Sequence, residues 1–321
     1  MVNSVIKNTF ETSYRDDWTD SDNFYRILFN NGRSLQAREL TQMQTILQNQ
    51  ITQHANWQFK EGKPISGSGL AVNTDVEFVK LDTTVYELPT DTAPLVKDVF
   101  TGAVSGVKVR IDRVIPSENT DPSTLFVSYL DNNNQVAANT LEPIRLAPGE
   151  TIVGAASGRT LKVQTTNTAI NPSTGQGATI ALAEGSWYIG GVFVYCPTQT
   201  LILSKYDSYP TADVGLLFKE EIITASDDTK LYDNSGVNPN LSAPGADRYK
   251  ISVTLTLKSA IGNADAYINI AKILDGEIIL EASQGIGDNL NVMGDVLAQR
   301  THEESGNYIV NPFIINGRNN D

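Results

Sequence analysis

From Gly62 onward the sequence keeps one hydrophobic rhythm, apolar and polar residues alternating in short runs that Gly, Pro, Asn or Asp closes. Alternation with a period of two puts successive side chains on opposite faces of a strand, so a chain patterned this way must build sheets. The runs at 76–81, 107–114, 124–130, 160–164, 179–182, 187–194, 200–203, 248–257, 267–274 and 277–281 read as strands rich in Val, Ile, Thr and Tyr. Asp131-Asn132-Asn133-Asn134 and Asp275-Gly276 are the clearest hairpin turns, because these residues tolerate a positive φ. The expected fold class is mainly β: an N-terminal helical region followed by β-sandwich and small-barrel domains.

One segment breaks the rhythm. Between Ser34, the expected N-cap, and about Trp57 there is neither Gly nor Pro, and Leu40, Met43, Leu47 and Ile51 recur at spacings of three, four and four. They form one narrow apolar stripe on an amide-rich helix. Two readings stay open: the stripe lies on the helix's own domain, or it meets copies of itself around an axis, with Gln50 and His54 continuing the heptad as polar axial positions. Upstream, Asp16, Asp17, Asp20 and Asp22 cluster, but the Gly and terminal Glu of a helix–loop–helix calcium site are missing. Asp20 or Ser21 is the expected cap of a short segment at 23–29.

Proline and glycine punctuate 91–168 densely, with strands of five to eight residues between them, which marks a separable small barrel. The echo of Gly102-Ala103-Val104-Ser105-Gly106 in Gly154-Ala155-Ala156-Ser157-Gly158 reads as two similar turns of that barrel, and no internal repeat is evident. The resulting division is 1–60, helical; 61–90 with 169–215, a β domain; 91–168, inserted; and 216–321, a C-terminal sandwich reached through a polar link at 225–246.

The chemistry-bearing residues are few. Two histidines, His54 and His302, leave little for His-based catalysis or zinc, and the single cysteine, Cys196, sits in an apolar stretch as an inert thiol. A net charge of -13 lacks the basic footprint that phosphate contacts require, so no nucleic acid is expected. No run approaches the roughly 18 apolar residues of a membrane span, and the first ten residues carry no apolar signal core. The carboxylate pairs Glu220/Glu221, Asp227/Asp228 and Glu303/Glu304 are adjacent, so on strands they point to opposite faces and do not share a proton. Gly285-Ile286-Gly287 follows no βαβ unit and fails as a dinucleotide loop. Trp187, Tyr188, Tyr195 and Trp57 either line a sugar groove or sit in a core, the core being the commoner place for aromatics on strands. No catalytic, cofactor or metal site is expected. The interface candidates are Leu40, Met43, Leu47 and Ile51.

Four stretches carry a resemblance when taken together in order. They are Tyr14-Arg15-Asp16-Asp17 with the sequence from Phe24 to Ile51; Trp187 to Val194 followed by Thr200 to Tyr206; Ala243-Pro244-Gly245-Ala246-Asp247-Arg248-Tyr249-Lys250 with the strand after it; and Arg300 to Tyr308 with Pro312-Phe313. This pattern resembles an uncharacterised family of tailed-phage virion proteins, found in cyanophages and other contractile-tailed phages and labelled tail-fibre or baseplate structural proteins. The resemblance covers nearly the whole chain except 91–168. It implies a non-enzymatic virion component, baseplate wedge or tail-fibre attachment protein, made in the host cytoplasm. Its partners would be itself, as a homotrimer, and other tail proteins. The alternatives are a receptor- or glycan-binding fibre module and, third, a glycan-degrading tail enzyme, which the lack of a long β-helix repeat disfavours.

Overall fold

The computed structural model describes residues 14, 16–119, 121–130, 145–233, 240–262, 266–279, 297, 299–304 and 306. The turn expected at Asp131–Asn134, the Gly285–Gly287 loop and the end of the last motif lie outside them. The protein is mainly β, with several antiparallel sheets and one long N-terminal helix. It divides into two compact units, one of 1–63, 188–193 and 283–321, the other of 64–187 and 194–282.

In chain order the strands are β1 Pro64–Gly67, β2 Leu70–Lys80, β3 Val99–Gly102, β4 Lys108–Ile115, β5 Thr124–Leu130, β6 Thr151–Gly154, β7 Thr160–Lys162 and β8 Thr174–Leu182. They continue with β9 Gly185–Ile189, β10 Val192–Cys196, β11 Gln199–Ser204, β12 Ala212–Ile223, β13 Arg248–Leu257, β14 Tyr267–Leu274 and β15 Glu277–Ile279. The helices are α1 Ala37–Gln58 and the single turn α2 Lys258–Ile261.

The larger unit is built around an eight-stranded antiparallel sheet in the order β11-β8-β2-β5-β4-β3-β6-β7. A second, four-stranded sheet runs β13-β12-β14-β15. Its central strand, β12, has no counterpart among the expected strands, because its middle is a continuous apolar run rather than an alternation. Both of its edges are paired, with β13 from Val214↔Leu257 to Ile223↔Arg248 and with β14 from Ala212↔Ile273. The division drawn at 215/216 therefore falls inside a strand. The single run expected at 187–194 is two strands, β9 and β10, because Gly190 and Gly191 both take a positive φ between them. At Asp275-Gly276 the expected tight turn is present, with φ of 49° and 77°.

The two glycine turns are part of a true repeat, which corrects the sequence reading. Residues 98–106 correspond one for one to 150–158, and β3 pairs with β6 so that Phe100↔Gly154 and Gly102↔Ile152 flank the pair Thr101↔Val153. Each half donates an equivalent amide, Ala103 N–H to Thr151 O and Ala155 N–H to Val99 O, both at 2.9 Å. The acid that opens each half serves the turn of the other half. Glu150 accepts from the Val104 and Ser105 amides at 3.1 and 3.0 Å, and Asp98 accepts from the Ala156 and Ser157 amides at 2.9 and 2.8 Å. The repeat was hidden because only Gly, Ala, Ser and an acid are shared, and the strands between are short.

This repeat belongs to one core, which Val79 and Leu81 of the β2 end share with Phe100, Val109, Ile111, Leu125, Ile152 and Leu161. Entry and exit of the segment are zipped side by side: Leu81 bridges Val163, and Asp82 N–H donates to Lys162 O at 2.8 Å. Replacing 91–168 by a short Gly/Ser linker strips Val79 and Leu81 of most of their core partners and leaves Glu77 to Lys80 of β2 unpaired on the β5 side. The expected result is a remainder that melts well below the intact protein, or without a cooperative transition, in a thermal scan followed by circular dichroism. An unchanged midpoint would make 91–168 an independent body.

Candidate interaction surface

The N-terminal unit is arranged around α1. The helix begins at Ala37 rather than Leu35, and its cap is Gln36 rather than Ser34: the Glu39 carboxylate, three residues on, accepts the Gln36 amide at 2.9 Å. Upstream, Asp20–Asp22 form one 3-10 turn and Asn23 takes a φ of 55°, so 23–29 is not helical; from Phe24 to Asn30 the chain has no regular secondary structure.

The acidic cluster has a structural use. The Asp16 carboxylate accepts from Thr45 Oγ1 at 2.5 Å, and Asp17 accepts from Gln42 Nε2 at 2.5 Å and Arg38 Nη1 at 3.1 Å. Asp20 accepts from Asn49 Nδ2 at 2.7 Å. Residues 38, 42, 45 and 49 follow one another at helical spacing, so the acids zip the preceding chain to one polar face of α1. Among the described residues no group of His, Cys, Asp and Glu is placed to hold a metal.

The next face of α1 meets the tip of the β9–β10 hairpin. Thr52 Oγ1 donates to Gly191 O at 2.8 Å, the Tyr188 hydroxyl donates to Asn56 Oδ1 at 2.7 Å, and Gly190 N–H donates to Glu61 at 2.6 Å. Burial pushes the Glu61 carboxyl above its usual range, against the lowering effect of the Gly190 amide. Phe59, Tyr188 and Phe193 complete the contact as a ring cluster with centroids 5.5–6.2 Å apart. The closeness depends on small side chains. Gly191 has a φ of 82°, and a Cβ there would stand 2.7 Å from Thr52 Cγ2. Gly191→Ala is expected to destabilise this unit by about 1–3 kcal/mol, from left-handed strain plus a forced shift of Thr52. Faster proteolysis within α1, with the far-UV sheet signal retained, would report it.

Thr45, Ile46, Thr52 and Ala55 are the buried positions of α1, and the predicted stripe faces outward. Leu40 is 43% exposed, Met43 39%, Leu47 60% and Ile51 48%. This exposure speaks against the reading in which the stripe lies on its own domain. Phe24, Tyr25, Leu28, Phe29 and Leu35, just before the helix, are exposed as well. Against these nine, the described part of the unit buries only Trp18, Ile46, Ala55, Tyr188 and Ile189 among its hydrophobic residues. These exposed apolar side chains are the candidate contact surface of the chain, since monomers rarely expose large contiguous apolar patches. Sequence reasoning named the stripe but not the aromatic residues ahead of it, which it took for a short capped segment.

The other candidate groups resolve into structure. Trp187 and Tyr188 are buried while Trp57 and Tyr195 are exposed, so the four do not share one face as a groove. Cys196 is buried, and burial pushes its thiol up against a hydrogen bond from Gln199, which suits an inert cysteine. Gln199 also grips β13, donating to Val253 O and accepting from Leu255 N–H, a link between sheets that no sequence pattern announces. Glu220 and Glu221 face opposite ways: burial raises Glu220, whereas Lys219 and Lys250 lower Glu221. Asp227 accepts from Thr224 and Asp228 from the Lys230 amide, both as turn caps. Arg248 donates to the carbonyls of Ala246 and Asp247.

A polar cluster around the buried Lys80 lies in the larger unit. The Lys80 ammonium sits 3.9 Å from the centre of the Tyr206 ring and donates to Asn171 Oδ1 at 2.5 Å, while Asp121 accepts from Lys205 and from the Tyr206 hydroxyl. Burial lowers Lys80, with Asp121 opposing, and burial together with the Asp121 bond pushes Tyr206 up to about 12. Its donors and acceptors are matched to one another, so it braces β2 to the neighbouring loops.

The sequence profile of one protein family, described as a domain of unknown function (DUF4815), matches residues 12–93 and 155–320. The unmatched residues between, 94–154, hold β3 to β6. No curated protein and no solved structure matches the chain. No helix among the described residues is long and apolar enough to cross a membrane.

Proposed function

This chain belongs to the DUF4815 family, and from that premise we propose that it is a non-enzymatic structural component of a phage tail, at the baseplate or the fibre attachment. It works by assembly, binding copies of itself as a homotrimer together with neighbouring tail proteins. The observation that carries the reading is the N-terminal unit, where among the described residues large apolar side chains are more numerous outside than inside. The four ordered motifs that resemble tailed-phage virion proteins supply the setting, and a weakly charged, acidic surface suits contact with other proteins rather than nucleic acid.

The experiment is to purify the particles of the phage that encodes this chain and locate the chain in a cryo-EM reconstruction of the tail. Density for the β9–β10 hairpin and α1 at the baseplate or fibre base, in threefold copies, is the expected result. Particles that lack the chain would overturn the reading.

A further inference from the structure

We infer that residues 24–35 form an exchanged strap, which lies along the α1 stripe of the next copy in the assembled protein. This rests on the assembly reading above and names what covers the stripe.

The strap is held at both ends and bare between them. The Trp18 indole Nε1 donates to the Phe24 carbonyl at 2.9 Å, and the Glu39 carboxylate holds the Gln36 amide at the start of the helix. Between these anchors Phe24, Tyr25, Leu28, Phe29 and Leu35 are exposed, from 48% at Phe29 to 75% at Leu28. The strap does not cover the stripe of its own helix, since both remain exposed in one chain.

Size and length match. At roughly 200 Å² for a fully exposed large side chain, a strap carries about 600 Å² of exposed apolar surface and a stripe about 400 Å², so one strap-on-stripe contact covers about 1,000 Å² in total, the size at which a specific interface begins. An extended segment from Phe24 to Phe29 spans about 17 Å, and a helical stripe from Leu40 to Ile51 also spans about 17 Å.

A helix-on-helix contact explains less. The apolar seam is too short for a sustained coiled coil, because after Leu47 the heptad continues only as the polar Gln50 and His54. It would also leave the strap residues in water. Strap on stripe covers both surfaces with one contact, and a contact between two different patches makes a ring where its rotation closes, as the threefold reading requires.

The test uses the full chain. Leu28→Cys and Leu47→Cys are co-expressed on differently tagged copies and oxidised; Cys196 is buried and offers no competing thiol. The expected product is a covalent dimer carrying both tags, with dimers and trimers from a chain holding both substitutions. As a second measurement, Phe24→Ser combined with Leu28→Ser and Phe29→Ser is expected to weaken self-association at least tenfold with an unchanged sheet spectrum. Efficient cross-linking of Leu47→Cys to itself would show stripe against stripe, overturning strap exchange while leaving self-assembly intact. Cross-links confined to single chains would also overturn it, by showing the strap folded back on its own helix. A protein that is monomeric at every concentration would overturn the inference and the self-association behind it together.

Discussion

Leu47→Asp is expected to leave the protein a 34.9 kDa monomer in light scattering, with the β-sheet circular dichroism of the wild type. Leu47 is the most exposed residue of the stripe, so in a single chain a carboxylate there remains in water and costs little. In an interface the same carboxylate is stripped of water with no cation opposite it. An unpaired buried charge costs about 3–5 kcal/mol, which weakens association by roughly two to three orders of magnitude. The eight- and four-stranded sheets belong to the other compact unit, and the exposed Leu47 takes no part in their core. Leu47→Ala, which removes contact without adding charge, should weaken association less. An aspartate variant that assembles like the wild type would place the stripe in solvent throughout the life of the protein.

The second large effect is expected at the reciprocal acids. Glu150 is buried and accepts from the Val104 and Ser105 amides, the Ser105 hydroxyl and the Ala147 amide. Glu150→Ala orphans these donors together, and the expected loss is about 3 kcal/mol or more, since each buried unpaired donor costs about 1–3 kcal/mol. Asp98→Ala should cost a similar amount through Val99, Ala156 and Ser157. Because Gly102 and Gly154 lie in paired strands, each loss loosens the site of the other. The double variant should therefore cost less than the sum of the two in urea unfolding. Strict additivity would show two separate turns rather than one symmetric device. Asp98 also gives a pH signature. Burial acts to raise its pKa, but hydrogen bonds from Ser157, Ala156 and Val99 outweigh it and hold the carboxyl below the usual range. A carboxyl depressed in the folded state contributes stability that is fully present above its unfolded pKa of about 3.9 and is lost as pH falls through the lower folded value. The acid limb of the stability curve should be shallower in Asp98→Asn than in the wild type.

The local chemistry of the chain was legible from its residues alone. Strands β5, β13 and β14 stand where alternation puts them, the Asp275-Gly276 turn follows from the φ those residues accept, and α1 follows from a long stretch free of Gly and Pro. Cys196 and the adjacent carboxylates were readable too, because an apolar neighbourhood and opposite strand faces are local facts. Tertiary structure decided whatever depends on which surface meets which. The Leu40–Ile51 stripe is hydrophobic in any sequence reading, yet it is exposed, while the hairpin backbone at Gly191 closes on Thr52 instead. The acids at 16, 17 and 20 look like a cap or a calcium loop until the polar face of α1 comes within hydrogen-bond reach. The middle of β12 lacks alternation because Val214, Gly215 and Leu216 are buried in succession, which takes cover on both faces of the strand. The repeat around Asp98 and Glu150 stayed hidden for the same reason: each acid serves a turn some fifty residues away, and only folding brings the two halves side by side.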